Sequence, residues 1–172
     1  MLVIVAGLPG AGKSTLARAV AERVGGAVLD KDPIRAALFA PGDIEYGAAQ
    51  DDFVMELMLQ AAAYLLSKNP SRIVFLDGRT FSHAYQRRRA IEFARKFGTP
   101  WRTIECVCSD VTAKTRLAED ERTGRHPAAN RTWELYERVR ASFEAIEEPK
   151  IVIDTDGDFG SCVEQAIRGL AG

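Results

Sequence analysis

The sequence predicts an α/β fold, a five-stranded parallel sheet with helices on both faces. Three observations carry this. Short apolar runs alternate along the chain with longer segments of helical periodicity. The apolar runs lack an inside–outside alternation, as expected of strands buried on both faces. The first run, Leu2 to Ala6, leads through a glycine-rich loop directly into a helical segment.

The elements follow in order. Leu2 to Ala6 reads as a buried strand. Lys13 to Val24 carries Leu16, Ala17, Val20 and Val24 on one helical face. Ala27 to Asp30 is a short strand. Pro33 to Phe39 is predicted helical, with Pro33 in the first turn and Asp32 as N-cap. Tyr46 to Ser67 is a long helix ended by Asn69-Pro70, and its Met55, Leu57, Met58, Leu59 and Leu65 are core. Arg72 to Asp77 is a strand, Tyr85 to Phe97 a helix closed by Gly98, and Trp101 to Cys108 a strand. Asp110 is expected to cap a helix reaching about Thr123. After the turn Gly124-Arg125-His126-Pro127, helix resumes from Thr132 to Ile146. Ile151 to Asp154 is the last strand and Phe159 to Leu170 the last helix. No linker, repeat or low-complexity stretch interrupts this pattern, so residues 1–172 are expected to form one domain.

The bulk composition is that of a soluble globular protein: 47% hydrophobic and 27% charged residues. Twenty-three basic side chains against 24 acidic ones leave a net charge of −1, which supplies no global field for nucleic acid or membrane. The apolar run at the N-terminus breaks at Gly7, too soon for a signal peptide or a membrane span, and a cytoplasmic location is expected. Cys106, Cys108 and Cys162 lack metal-ligand spacing and fit a reducing compartment. Cys106 and Cys108 alternate on one strand face and are expected to pack in the core.

Gly7-Leu8-Pro9-Gly10-Ala11-Gly12-Lys13-Ser14-Thr15 satisfies G-x-x-x-x-G-K-[ST] between a strand and a helix, the setting the motif needs. Its glycines let backbone N–H groups turn inward as an anion nest, and the helix that follows aims its positive end at the phosphates. Lys13 supplies a point charge to the β- and γ-phosphates, and the Ser14 hydroxyl is placed for Mg²⁺. A P-loop NTPase that binds ATP with Mg²⁺ is therefore expected. Ile73-Val74-Phe75-Leu76-Asp77 is an apolar strand ending in a carboxylate, so Asp77 is a candidate for the metal as well.

Together the P-loop, Asp30-Lys31-Asp32-Pro33-Ile34-Arg35 and the arginine-rich segment after Asp110 resemble the small P-loop kinases of the AAA-domain "predicted kinase" family. That family is similar to the kinase domain of polynucleotide kinases and, more distantly, to gluconate kinases, chloramphenicol phosphotransferase and zeta toxins. The resemblance implies that Asp32 orients or deprotonates the acceptor hydroxyl and that Arg35 holds an acceptor phosphate. At i and i+3 of a helix the two side chains share a face. Asp32 as a mere cap and Arg35 as a solvated charge is the competing reading.

The resemblance also implies a short arginine-rich lid at about residues 116–130. Arg122 and Arg125 are its candidates for the transferring phosphoryl group, and Arg116 for the ATP phosphate or adenine. The alternative is a solvated helix in which Glu119, Asp120 and Glu121 pair these arginines; His126 reads as lid surface. Asp77-Gly78-Arg79-Thr80 departs from the polynucleotide-kinase pattern, which has Asn in place of the arginine. Arg79 either touches an anionic acceptor or caps the next helix. Arg87-Arg88-Arg89 fans around a helical turn and reads as mostly solvated. The acidic residues between Gly42 and Asp52 either suit a hydroxyl-bearing, sugar-like or cationic acceptor or simply start the long helix favourably.

The expected function is transfer of the γ-phosphate of ATP to a hydroxyl of a small molecule or nucleotide. A polynucleotide 5′-hydroxyl kinase is the rival within the class, with nucleic acid less favoured as partner. A nucleotide-binding ATPase or switch is the rival outside it, though no Asn-Lys-x-Asp run of a GTPase occurs.

Overall fold

The computed structural model describes residues 1–123 and 132–172. Five strands, β1 (Leu2–Ala6), β2 (Ala27–Asp30), β3 (Val74–Asp77), β4 (Trp101–Val107) and β5 (Lys150–Asp154), pair in the order β2-β3-β1-β4-β5, and every pairing is parallel. The helices are α1 (Lys13–Val24), α2 (Lys31–Leu38), α3 (Ala48–Lys68), α4 (Ala84–Phe97), α5 (Asp110–Thr123), α6 (Trp133–Ala141) and α7 (Phe159–Ala171), with a 3-10 turn at Pro41–Asp43.

The side-chain period of two divides β1 between two cores. Leu2, Ile4 and Ala6 face α3 and α4, meeting Met58, Leu59 and Ala94. Val3 and Val5 face α1 and α7, meeting Leu16, Val20 and Val163. All of β1 is fully buried, which is why its sequence shows no alternation. Cys106 lies within the second core and Cys108 packs against it; all three cysteines are unpaired. No helix among the described residues is long and apolar enough to cross a membrane.

Several boundaries and roles differ from the sequence reading, each for a local reason. Asp30, not Asp32, caps α2: its Oδ1 accepts from the Asp32 N–H at 3.2 Å. Ser109, not Asp110, meets the start of α5, accepting from the Thr112 N–H. The long helix begins at Ala48, and Tyr46 lies outside it. The helix after Thr132 stops at Ala141 because the following segment docks elsewhere: Glu144 accepts from the Ala84 N–H, and the Ala145 carbonyl accepts from Arg87. Arg87 is itself a correction. It is 1% exposed rather than solvated, and it donates to the carbonyls of Phe81 and Ala145 and pairs with Glu148. Phe81 is the one described non-glycine residue at positive φ (50°), and this bond fixes its carbonyl.

The carboxyl ends of β2 and β3 approach very closely. Asp30 stands opposite Asp77, and a Cβ on Gly78 would lie 2.6 Å from both Asp30 Oδ1 and the Lys31 backbone nitrogen. Gly78 also has φ +83°, a conformation costly for any L side chain. Gly78→Ala is expected to destabilise the fold by about 2 kcal/mol or more, read as a lowered urea midpoint at unchanged m-value.

Candidate active site

The P-loop follows β1 at the centre of the sheet, on the carboxyl edge where open α/β sheets place their ligands. The Gly7 N–H donates to the Thr80 carbonyl at 3.0 Å, which ties the loop to the β3–α4 connection. A Cβ on Gly7 would lie 2.3 Å from the Cys106 carbonyl oxygen, so only glycine fits there. Gly12 adopts a left-handed conformation at the N-cap of α1. Lys13 is buried and donates to the Leu8 carbonyl at 2.8 Å. The loop thus presents backbone N–H groups and a helix N-terminus to the cleft with no carboxylate from within its own sequence.

Two elements brace the loop from the far side. Arg116 on α5 donates to the Gly10 carbonyl at 3.2 Å and to Thr155 Oγ1 and O at 2.9 and 2.8 Å. Thr155 Oγ1 lies 3.2 Å from the Ala11 carbonyl. Arg116 thus borders the P-loop and lines the same cleft. Thr155 was not singled out from the sequence; its signal is its place just beyond the carboxyl end of β5.

A single cleft of about 670 Å³ runs from Lys13, Ser14 and Thr15 past Arg116 to Asp32, Arg35 and Arg79. Of the residues predicted for the site, these are brought together. Asp32 lies within the first turn of α2, where the helix dipole favours its negative charge. Its Oδ1 is 3.5 Å from Lys31 Nζ and 3.8 Å from an Arg35 guanidinium nitrogen. Arg35, 2% exposed, pairs with Asp51 and lies under the Tyr46 ring at 5.3 Å. Arg79, 6% exposed, donates to Asp52 at 2.6 Å and to the Tyr85 hydroxyl at 3.3 Å, so it belongs to the cleft and does not cap the next helix.

Lys31 and Asp51 line the same cleft; the sequence singled out Asp51 only as part of the acidic segment before Asp52, and Lys31 not at all. Lys31 Nζ donates to Asp51 Oδ1 at 2.8 Å. Its only sequence signal is adjacency to Asp32. Asp51 lies in the first turn of α3, in line with the helix-start reading of the acidic run, and Asp51 and Asp52 are in addition engaged by Lys31, Arg35 and Arg79.

Asp77 is wholly buried, and neither carboxylate oxygen has a hydrogen-bond partner among the described residues. It faces Asp30 across the strand pair, and burial together with the Asp77 charge pushes the Asp30 carboxyl up. The unpartnered Asp77 carboxylate is the kind of oxygen donor a divalent cation takes, whereas the Asp30 oxygens are already engaged by the Asp32 N–H and Arg18.

Arg122 is not brought into the cleft. Its side chain is 72% exposed and grips Glu119 with two bonds of 2.9 and 2.6 Å, the helix-surface pairing weighed as the alternative. Arg125 and His126 lie outside the described residues. The flanks of that segment are fixed to each other: Asp110 at the start of α5 accepts from Tyr136 and Arg140 of α6 at 2.7 and 2.5 Å.

The family profile of an AAA domain matches residues 2–146. The chain belongs to the AAA_33 family of AAA domains. No curated protein matches it. Among solved structures it is similar to the APS kinase CysC of Mycobacterium tuberculosis, solved with AMPPNP and APS. They share 18% identity over 99% of this chain and 97% of the other, with a TM-score of 0.75. A gluconokinase from Sinorhizobium meliloti 1021 shares 19% identity over 98% and 90%, with a TM-score of 0.67. Kti12 from Chaetomium thermophilum, solved with ADP-AlF3, shares 19% over the whole of both chains, with a TM-score of 0.70. These likenesses establish the P-loop fold of the family.

Burial lowers the Lys31 pKa from 10.5 to about 8, partly offset by Asp32 beside it; Arg35 and Arg79 push it further down. Asp51 also faces the amine. Between about pH 8 and 10.5 the unfolded chain therefore holds a proton that the folded chain has released. Folding is favoured more strongly as pH rises through that window. The stability of the wild type relative to Lys31→Met is expected to grow by up to about 3 kcal/mol between pH 7 and pH 10.5, measured by denaturant unfolding at each pH.

Proposed function

We propose that this protein is an ATP- and Mg²⁺-dependent phosphotransferase that moves the γ-phosphate to a hydroxyl of a small molecule or nucleotide. The observation that carries this reading is the continuity of the cleft: the P-loop residues Lys13 and Ser14 share it with Asp32, a carboxylate held beside Lys31 and Arg35. A hydrolase or switch needs no such carboxylate walled by cations at the far end. The small-molecule kinases among the structural neighbours accord with it.

In this reading Gly10, Ala11 and Gly12 bind the phosphate chain through the backbone, and Lys13 leaves the Leu8 carbonyl to meet the β- and γ-oxygens. The Ser14 hydroxyl and the Asp77 carboxylate would hold a Mg²⁺ ion, which would supply neutralising charge to the phosphates. Asp32 accepts the proton of the acceptor hydroxyl as the oxygen attacks phosphorus in line with the departing ADP oxygen. Arg116, anchored to Gly10 and Thr155, borders the nucleotide. Arg122 and Arg125 are the proposed stabilisers of the transferred group; Arg122 would serve only after leaving Glu119.

ADP release from Mg-ATP across a panel of hydroxyl acceptors, a 5′-hydroxyl oligonucleotide among them, tests the reading. A true acceptor is expected to raise turnover. Lys13→Ala should abolish it, and Asp32→Asn should lower kcat about a hundredfold to ten-thousandfold with little change in the KM for ATP. Acceptor-independent turnover that survives Asp32→Asn would overturn it.

A further inference from the structure

The P-loop is held from the side of β5 by one hydroxyl whose contacts do not follow from the motif. Thr155 stands just beyond β5, and its N–H donates to the Val107 carbonyl at 2.8 Å, one step past the β4–β5 pairing. The sheet therefore fixes its backbone, and its side chain reaches across to the loop. Arg116 Nη1 donates to Thr155 Oγ1 at 2.9 Å, and Oγ1 lies 3.2 Å from both the Ala11 and the Val107 carbonyl oxygens.

A hydroxyl has one proton to give. Arg116 occupies a lone pair, so the proton of Thr155 goes to one of the two carbonyls. Val107 already receives the Thr155 N–H, whereas Ala11 precedes the first acceptor of α1, the Gly12 carbonyl that takes the Leu16 N–H. The Ala11 carbonyl is thus the group that gains most from the hydroxyl. Arg116 holds the carbonyl before it: the same Nη1 donates to Gly10 O at 3.2 Å, and Nη2 donates to Thr155 O at 2.8 Å. Two successive P-loop carbonyls are drawn to one side. In a planar trans peptide the next N–H points the opposite way, so fixing the Ala11 carbonyl turns the Gly12 N–H away from Thr155. Helix α5 presses on the same stretch, since a Cβ on Gly10 would lie 2.9 Å from the Ala113 carbonyl oxygen, one turn before Arg116.

We propose that Thr155 is a positioning residue of the nucleotide site: its hydroxyl, oriented by Arg116, draws the Ala11 carbonyl towards β5 and so presets the amides of the loop for phosphate. The inference rests on the nucleotide-binding half of the proposed function and is independent of the acceptor. Thr155 acts through the loop and needs no contact with the nucleotide. Without the hydroxyl the loop keeps its sequence but has to be ordered at the moment of binding, and affinity falls.

Mg-AMPPNP binding to the whole protein, measured by calorimetry, tests this. Affinity is expected to fall about tenfold in Thr155→Val and to return to within about twofold of the wild type in Thr155→Ser. Mg-tripolyphosphate, which carries neither base nor ribose, should lose affinity by the same factor when it competes for the site. Arg116→Gln should cost less affinity in the Thr155→Val background than alone, because both residues act through one clamp. Thr115→Val, beside Arg116 but with its hydroxyl donating within α5 to the Val111 carbonyl, should change nothing. Should Thr155→Val fail to fold, Thr155→Ala carries the same expectations. Unchanged AMPPNP affinity without the hydroxyl, no rescue by serine, a loss confined to AMPPNP that spares tripolyphosphate, or additive effects of Arg116 and Thr155 overturns the clamp alone. A wild type that binds no AMPPNP overturns the proposed function and the clamp with it.

Discussion

The site depends on the close approach of β2 and β3 at their carboxyl ends. With no side chain on Gly78, Asp30 and the Lys31 backbone come within a distance that any Cβ would forbid. That approach sets Asp30 opposite Asp77 and makes Asp30 available to cap α2. Capping by Asp30 in turn releases Asp32 from the backbone, so its carboxylate can face the cleft. Had Asp32 been the cap, its oxygens would be committed to N–H groups and poorly placed to take a proton. One glycine contact therefore propagates into the placement of both the carboxylate proposed for the metal and the proposed base.

The same region shows how a fold keeps costly charges in place. Asp77 has no hydrogen-bond partner among the described residues, Asp30 is pushed towards protonation, and Lys31 towards losing its proton. None of these states is optimal for stability alone; removing such groups from water costs several kcal/mol per ion unless the pairing is complete. They are held by bonds that come from elsewhere in the chain. The P-loop is tied to Thr80 through Gly7, and the loop carrying Arg79 is tied through Phe81 to the buried Arg87. Strain and imperfect pairing sit at the cleft, and the bonds that tolerate them lie one layer behind it.

The sheet, its helices and the P-loop were legible because each rests on a local rule. Buried strands read as apolar runs, and the bounds of β1, α1 and β2 agree residue for residue. Glycine at Gly7 and Gly12, and Lys13 after it, report a backbone geometry that neighbours in sequence dictate. Asp32, Arg35, Arg79 and Arg116 were also found, since the carboxyl edge of the sheet is a predictable location. What escaped was pairing across the chain. Asp51 is 16 residues from Arg35, and Glu148 is 61 from Arg87. Nothing within a helical window distinguishes Arg87, buried on three partners, from Arg88 beside it in solvent. The direction each residue faces on α4 decides, and that is set by how the segment after α6 docks.

The contrast between the two ends of the cleft has a physical source. The donor end is made of backbone: N–H groups, a helix terminus and glycines at positive φ. Backbone geometry survives wide sequence change, which is consistent with a fold shared at 18–19% identity. The far end is lined by side chains held by charge: Lys31, Arg35 and Arg79 against Asp32 and Asp51, with Asp52 behind Arg79. Replacing one member changes the charge every other member feels, so such a set alters as a group and not residue by residue. On the proposed phosphotransfer reading, discrimination between acceptors rests on this interlocked set and not on the backbone cradle.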